Sequence, residues 1–548
     1  MRISTKCILS GIIFLLSYNF GHACTNLLVS KGASADGSVM ITYNADAGGF
    51  MDPLFYSPAK DYKPGDSVDV IEWDTGKNLG KIKQVLHTYL VIGNMNEYQV
   101  SIGETTFGGR TDMRDTTARV DYGSLMYLAL QRAKTAREAI RVMTGLVAEY
   151  GYYSSGESFS VADADEAWIL EMLAKPEGGA VWAARRVPDG YVCAHANQAR
   201  IRELVENDTM NCLFSSDAIS YAIQKGWYNP KEGDFSFADT YCPLEPGSLL
   251  FCEGRIWRFF TRMAPSQEFP EDYWRAVKGA KPYPLFIKPD KKLSVQDVIN
   301  LMRDHFEGTP YDMTKGLAAG PYGCPVRWKN LTWKLEGDTV NEYAWERPTS
   351  TQQTAFTFVS QMRNFLPREV GGLFWYGVDD TYSNVYMPLY CCMKRPPEPF
   401  TIGAINDFSL ESGWWVFNLV ANLAYTKYSY IIKDIQQVQS ELENKFFATQ
   451  PAVEKAAIEL GKTDTKLMVD YLTDYSVSQA DNTFYRWRDL WRFLVMKYND
   501  GYINDVNTSN GRHPKGVGYG NDFLKAVIKE KPGYYELKWQ DKKKKKSQ

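Results

Sequence analysis

The chain has 548 residues, 44% hydrophobic and 23% charged, the balance of an ordinary soluble protein long enough for one large domain with additions or for two. A net charge of −3 gives no reason to expect nucleic acid or an acidic surface as partner. Past the first two dozen residues no stretch is apolar for long enough to cross a bilayer, so no stable membrane insertion is expected of the remainder.

The chain opens with a leader pattern. Arg2 and Lys6 precede an apolar run from Cys7 to Phe20, and Gly21-His22-Ala23 gives the small-x-small end of a signal peptide. Cleavage after Ala23 would make Cys24 the first residue of an exported, periplasmic or secreted protein. The rival fate of such a cysteine is lipidation, but Gly21 stands where a lipobox usually has Leu. The two fates exclude each other, because lipidation blocks both sulfur and amine.

Four strand pairs follow in order. Asn26–Ser30 turns at Asp36-Gly37 into Val39–Tyr43. Val85–Ile92 turns at Asn94–Glu97 into Tyr98–Thr105, Ser158–Ala162 turns into Ala167–Leu173, and Val181–Val187 turns at Pro188-Asp189-Gly190 into Tyr191–Asn197. Between them, Thr135 and Glu138 form a capping box ahead of Ile140, Met143, Leu146 and Val147 at helical spacing, and Ser294–Phe306 repeats that pattern. Antiparallel hairpins with interposed helices predict an α+β fold. Beyond about residue 405 strand signals cease: one long helix is expected through Phe417 to Val438, and others over roughly 451–475 and 478–499. The expected organisation is a signal peptide at 1–23, a catalytic domain at 24–404, a helical C-terminal extension at 405–537 and a solvated basic tail at 538–548 containing Lys542–Lys546.

Metal, nucleotide and dinucleotide motifs are absent, and no metal or organic cofactor is indicated. The cysteines left after Cys7 and Cys24 are seven in number with no regular spacing, so they define no disulfide framework, and adjacent Cys391-Cys392 read as buried apolar residues. Of the few histidines, His87 and His305 read as structural, and His195 allows a Cys–His dyad that nothing local supports. An N-terminal cysteine needs no histidine. Its own α-amine, with a reference pKa of about 7.7–8.0, is already placed to deprotonate its thiol.

Cys24-Thr25-Asn26, the Lys31–Ser38 segment and Tyr43-Asn44-Ala45-Asp46 resemble the start of the dipeptidase A family, cysteine peptidases among the N-terminal-nucleophile (Ntn) hydrolases related to choloylglycine hydrolase and penicillin V acylase. The resemblance continues through Asn94–Glu97, Ala196–Ile201, Gly254–Arg258, Gly320–Pro325 and Gly377–Asp380. It implies a four-layer αββα sandwich of two antiparallel sheets. It also implies roles: Cys24 as nucleophile and base, Asp46 holding the amine, Asn96 as oxyanion donor, Asn197 near the amine and the attacked carbonyl, and Arg258 ordering the site, with Arg255 as its alternative. On that basis Asn96→Ala should cut turnover by about two to three orders of magnitude. Tyr43 departs from the related acylases, which often carry Arg there.

The resemblance points to an exported dipeptidase acting through an acyl-enzyme on dipeptides or small amides, and leaves assembly into a homo-oligomer open. Two rivals differ in kind. One is hydrolysis of non-peptide amides, as in bile-salt or penicillin V acylases. The other is a lipid-anchored binding protein without catalysis.

Overall fold

A computed structural model describes residues 24–328, 331–507 and 514–537. The expected signal peptide (1–23) and the basic tail (538–548) lie outside the described residues. Two large antiparallel sheets dominate. The seven strands of the first run, in spatial order, Phe286–Ile287, Val192–His195, Asn26–Val29, Val39–Asp46, Thr354–Met362, Leu373–Val378 and Met387–Tyr390. The second has eight: Cys212–Phe214, Ala180–Arg186, Ala167–Ala174, Gly156–Ala162, Ser101–Gly108, Met95–Asn96, Val91–Ile92 and Tyr56–Ser57.

The central strand Val39–Asp46 is buried at every position, and its Val, Ile and Thr side chains suit a pleated surface covered on both faces. Its polar members are satisfied inside the fold: Thr42 Oγ1 accepts the Leu27 amide at 2.8 Å, and Asn44 Oδ1 accepts the Thr357 hydroxyl at 2.5 Å. The sheets meet face to face where Asn26 touches Ser160 across 3.1 Å. Gly103 permits that approach, since a Cβ there would stand 2.9 Å from the Asn26 side chain and 3.2 Å from Tyr43 Cβ.

Helices cover the outer faces. Ala136–Tyr150 packs Ile140, Met143 and Val147 into one core with Phe159, Trp168 and Leu170 of the second sheet. Its N-cap is Thr135, whose hydroxyl accepts the Glu138 amide at 3.2 Å, whereas the Glu138 carboxylate turns back to the Lys134 amide at 2.8 Å. Three C-terminal helices, Gly413–Thr426, Tyr428–Gly461 and Thr465–Lys497, share the core of the first sheet, with Trp375 on Phe447 at 4.6 Å and Phe417 stacked on Trp487 at 4.8 Å. Among the described residues no helix is long and apolar enough to cross a membrane.

The first and third strand pairs form as expected. The second does not form as a direct pair: Met95–Asn96, inside the expected turn, is itself a strand between Val91–Ile92 and Ser101–Gly108, while His87–Thr88 pairs with Lys60–Asp61. The fourth pair does not form. Ala180–Arg186 stays in the second sheet, while Val192–His195 crosses to the first and pairs with Asn26–Val29. Asp189 of the intervening turn holds the Gly32 amide at 2.6 Å. Alternation marks both strands but not which sheet each joins.

The helix over Ser294–Phe306 is shorter too, Val295–Met302, leaving His305 beyond its end. The C-terminal breaks also move. Lys427, with φ −146° and ψ 52°, ends one helix where periodicity runs on unbroken. No break falls near 475–478, because Ser476 bonds the Leu472 carbonyl and stays helical; the chain turns instead before the Asp464 N-cap.

Candidate active site

Cys24 enters the first sheet just ahead of Asn26–Val29. Neighbouring Thr25 exchanges backbone bonds with Asn44 at 3.2 and 3.0 Å, which sets Cys24 beside the Ala45–Asp46 end of the central strand. The side chain is 3% exposed. Its Sγ lies 3.5 Å from Glu104 Oε1 and 3.6 Å from the Tyr43 hydroxyl, and the Tyr43 hydroxyl in turn donates to the Glu104 carboxylate. Burial first, then the negative charges of Glu104 and Asp46, push the thiol well above its ordinary range. The Asp46 amide and the Tyr43 hydroxyl, which bond the sulfur, act the other way.

Arg255 binds the residues around Cys24 together. It lies on the helix Gly254–Met263 and is 1% exposed. Nη1 donates to the Cys24 carbonyl at 2.6 Å and to Thr25 Oγ1 at 2.7 Å; Nη2 donates to the Ala196 carbonyl at 3.1 Å and to Asn197 Oδ1 at 2.9 Å. Burial, then repulsion from Arg347, lowers its pKa to about 10, which still leaves it charged at neutral pH. The planar five-donor fork is what allows one side chain to join both strands.

Asn197 therefore stands in the site. It adopts a left-handed φ of 65°, a region Asn tolerates better than most residues, and donates from Nδ2 to the Thr106 carbonyl at 2.7 Å. Asp46 is at the site as well, 1% exposed, its carboxylate taking Arg347 Nη2 at 2.7 Å and the Thr354 hydroxyl at 2.6 Å. Burial raises its pKa, against the lowering effects of Arg347, Thr354 and Arg255.

Asn96 and Arg258 are held elsewhere. Both amide hydrogens of Asn96 go to carbonyls beside the helical layer, Leu130 at 2.7 Å and Ala133 at 2.8 Å, and its Oδ1 accepts the Tyr98 and Val100 amides. It fastens a turn. Asn96→Ala is therefore expected to strand buried polar groups, at about 1–3 kcal/mol, and to lower the melting temperature while kcat stays near wild type; an unchanged melting temperature with a collapsed kcat would restore the oxyanion role. Arg258 grips both oxygens of Asp304 at 2.9 Å and the Glu307 carbonyl at 2.6 Å. One helical turn from Arg255, it pairs with Asp304 instead of the Cys24 carbonyl.

His195 makes no dyad with Cys24. Its ring nitrogens meet Thr105 Oγ1 at 2.7 Å and Ser160 Oγ at 2.8 Å, and burial lowers its pKa to about 3. Four contributors were not singled out from the sequence: Tyr43 as a thiol neighbour, Glu104, Arg347 and Thr354. Glu104 carried one available signal, a lone acid inside an otherwise strand-like Ser101–Gly108 run. Arg347 lies in irregular chain and carried none. Among the described residues no three His, Cys, Asp or Glu side chains converge as a metal site requires.

Comparison with known proteins gives the family. The description Peptidase family C69 matches residues 23–64 and 55–441. A probable dipeptidase of Salmonella dublin is 26% identical over 409 residues, covering 71% of this chain and 86% of the relative. Dipeptidase A of Lactobacillus helveticus is 24% identical over 446 residues, covering 77% and 84% respectively. A probable dipeptidase of Latilactobacillus sakei is 24% identical over 467 residues, covering 79% and 89%. The protein is a hydrolase of the cysteine-peptidase class. It belongs to peptidase family C69.

Proposed function

We propose that this C69 member is an exported dipeptidase whose nucleophile is Cys24 freed at its N-terminus. The observation that carries the reading is the enclosure of the Cys24 thiol between Glu104 and the Asp46 end of the central strand, with Arg255 clamping its carbonyl. The similarity to relatives named dipeptidases supports the substrate class. The family match beginning at residue 23 supports a mature chain starting at Cys24. We read residues 24–404 as the catalytic αββα sandwich of Ntn-hydrolase type, with 405–537 as a helical extension built onto it.

While Cys24 is in peptide linkage its thiol stays protonated and no α-amine is present to take its proton. Cleavage after Ala23 would supply an α-amine that takes the thiol proton. The resulting ammonium would be stabilised by Asp46. The thiolate would attack the scissile carbonyl, with Asn197, through its second amide hydrogen, and a backbone N–H holding the oxyanion. The ammonium would return its proton to the leaving amine, and water would clear the acyl-enzyme.

Burial of the sulfur also supports the free thiol over a lipid anchor, since a thioether-linked diacylglycerol needs its sulfur at the surface. Alkylation by iodoacetamide checks the activation step. With the amine blocked, burial and the nearby carboxylates push the thiol pKa up and keep the thiolate scarce at pH 7, so reactivity should rise only in strongly alkaline solution. Starting the chain at Cys24 adds a positive charge beside the sulfur, so reactivity at pH 7 should increase about tenfold or more, one pKa unit being one decade. The same protein is then given dipeptides, a conjugated bile salt and penicillin V. Preference for either of the last two would overturn the dipeptidase reading. An acylated Cys24 in the mass spectrum of the natural product would overturn the enzyme reading altogether.

A further inference from the structure

A cleft of about 660 Å³, a volume typical of small-molecule sites, opens between the helices Gly254–Met263, Val295–Met302 and Tyr428–Gly461. Cys24, Asp46, Asn197 and Arg255 are not among its walls. Each helix turns a polar pair into it, Arg258 and Arg262, Gln296 and Asn300, Ser440 and Asn444. A spacing of four residues puts both members of each pair on one helix face. Faces that meet other helices are ordinarily apolar, so three polar faces around one space leave it to water or a ligand. Phe447 supplies an apolar contact at its edge.

The acids around this cleft are already matched. Glu443 gives its two oxygens to Arg303 at 2.6 and 2.9 Å, and Glu307 gives one to the His305 amide at 2.6 Å and the other to His305 Nδ1 at 3.2 Å. Asp304 differs, because Arg258 and Arg262 share it. Arg262 reaches Asp304 at 3.0 Å and the Asn300 carbonyl at 2.9 Å, both with Nη1. Its Nε and Nη2 have no partner among the described residues, and its side chain is 29% exposed. Those two nitrogens form the edge of the guanidinium fork that takes a carboxylate bidentately. One carboxylate between two guanidiniums also leaves a local excess of positive charge. We propose that the cleft is a second ligand site, in which Arg262 receives the free carboxylate of an amino acid or short peptide and the side-chain amides of Gln296, Asn300 and Asn444 bond its polar groups. Choosing amino acids and peptides among small carboxylates rests on the dipeptidase reading, since they are its products and substrates; the preference for a carboxylate does not.

The test is calorimetric titration of the chain from residue 24 carrying Cys24→Ala, so that no ligand is consumed. Binding of alanyl-alanine should include one equivalent that weakens about tenfold or more when Arg262→Gln is added, the scale of hydrogen bonds to a charged group. Ser440→Glu should weaken the same equivalent, because it sets a negative charge on the Tyr428–Gly461 wall. It leaves the bonds of Asp304 untouched and so decides the matter if Arg262→Gln fails to fold. Alanyl-alaninamide, which lacks the carboxylate, should miss that equivalent in the protein without either cleft substitution. Titration curves left unchanged by a folded cleft variant overturn the site. Equal binding of the amide overturns the carboxylate assignment, and inorganic phosphate held in the cleft more tightly than alanyl-alanine overturns the assignment to amino acids and peptides. Hydrolysis of alanyl-alanine by wild type tests the dipeptidase reading separately: its absence overturns that reading, whereas the cleft stands or falls on the titrations.

Discussion

Cys24→Ala is expected to remove peptidase activity by about four to six orders of magnitude, the range seen when a covalent nucleophile is deleted from a hydrolase. No other group can substitute. His195 is neutral and bonded at both nitrogens, and the hydroxyl closest to the sulfur, that of Tyr43, is tied to Glu104 and has a pKa raised by burial. The other described cysteines that are fully buried, Cys193 and Cys391, have thiols pushed to about 12. Folding should survive. The substitution removes one small group from beside two carboxylates, so a change of about 1 kcal/mol or less is expected. Turnover above about 1% of wild type, in protein with an unaltered melting curve, would dismiss Cys24 as nucleophile.

Arg255→Lys is expected to lower both turnover and stability, and Arg258→Lys only stability. The hydrogen bonds of Arg255 include the four around Cys24 and Asn197 and one from Nε to the Phe251 carbonyl at 2.9 Å. An ammonium is a point with three donors and cannot reach Cys24 and Asn197 together. Buried acceptors left unpaired cost about 1–3 kcal/mol each, and the slack falls on the strand end carrying the nucleophile. A loss of kcat of about 100-fold is expected, since sub-ångström looseness in a reacting pair is costly. Arg258 holds Asp304, which keeps Arg262 as a second partner at 3.0 Å. Its replacement should shift the melting temperature with kcat near wild type. Equal losses of kcat in the two variants would contradict this division.

The structure brings Asp46 and Asn197 to Cys24 and holds Asn96 and Arg258 in other contacts, for a local reason. Arg258 sits in a matching block one helical turn from Arg255, which holds Cys24. Within a helix, positions 255 and 258 share a broad face, and which one meets Cys24 depends on how the helix Gly254–Met263 lies across the sheet. Asn96 is in a tight turn, where an Asn serves backbone bonding as readily as chemistry. The Pro188-Asp189-Gly190 turn misled differently. It reads as a hairpin, yet it passes the chain between sheets, and that crossing brings Ala196 and Asn197 to Arg255.

The sequence by itself determined the α+β class, several of the strands between Asn26 and His195, the helix beginning after Thr135 and the family, and it singled out Cys24 as the candidate nucleophile, but it gave no sign of the first-sheet strands between Thr354 and Tyr390. What it determined follows from periodicity, turn residues and motifs, which are properties of short segments. Tertiary structure alone decided the rest: that Arg255 joins Cys24 to Asn197, that Arg347 and Thr354 hold Asp46, and that Tyr43 presents Glu104 to the sulfur. Each of those contacts links residues 58 to 308 positions apart. Separation of that kind leaves no periodic trace, because contact across a sandwich depends on register and sheet membership that no single segment encodes.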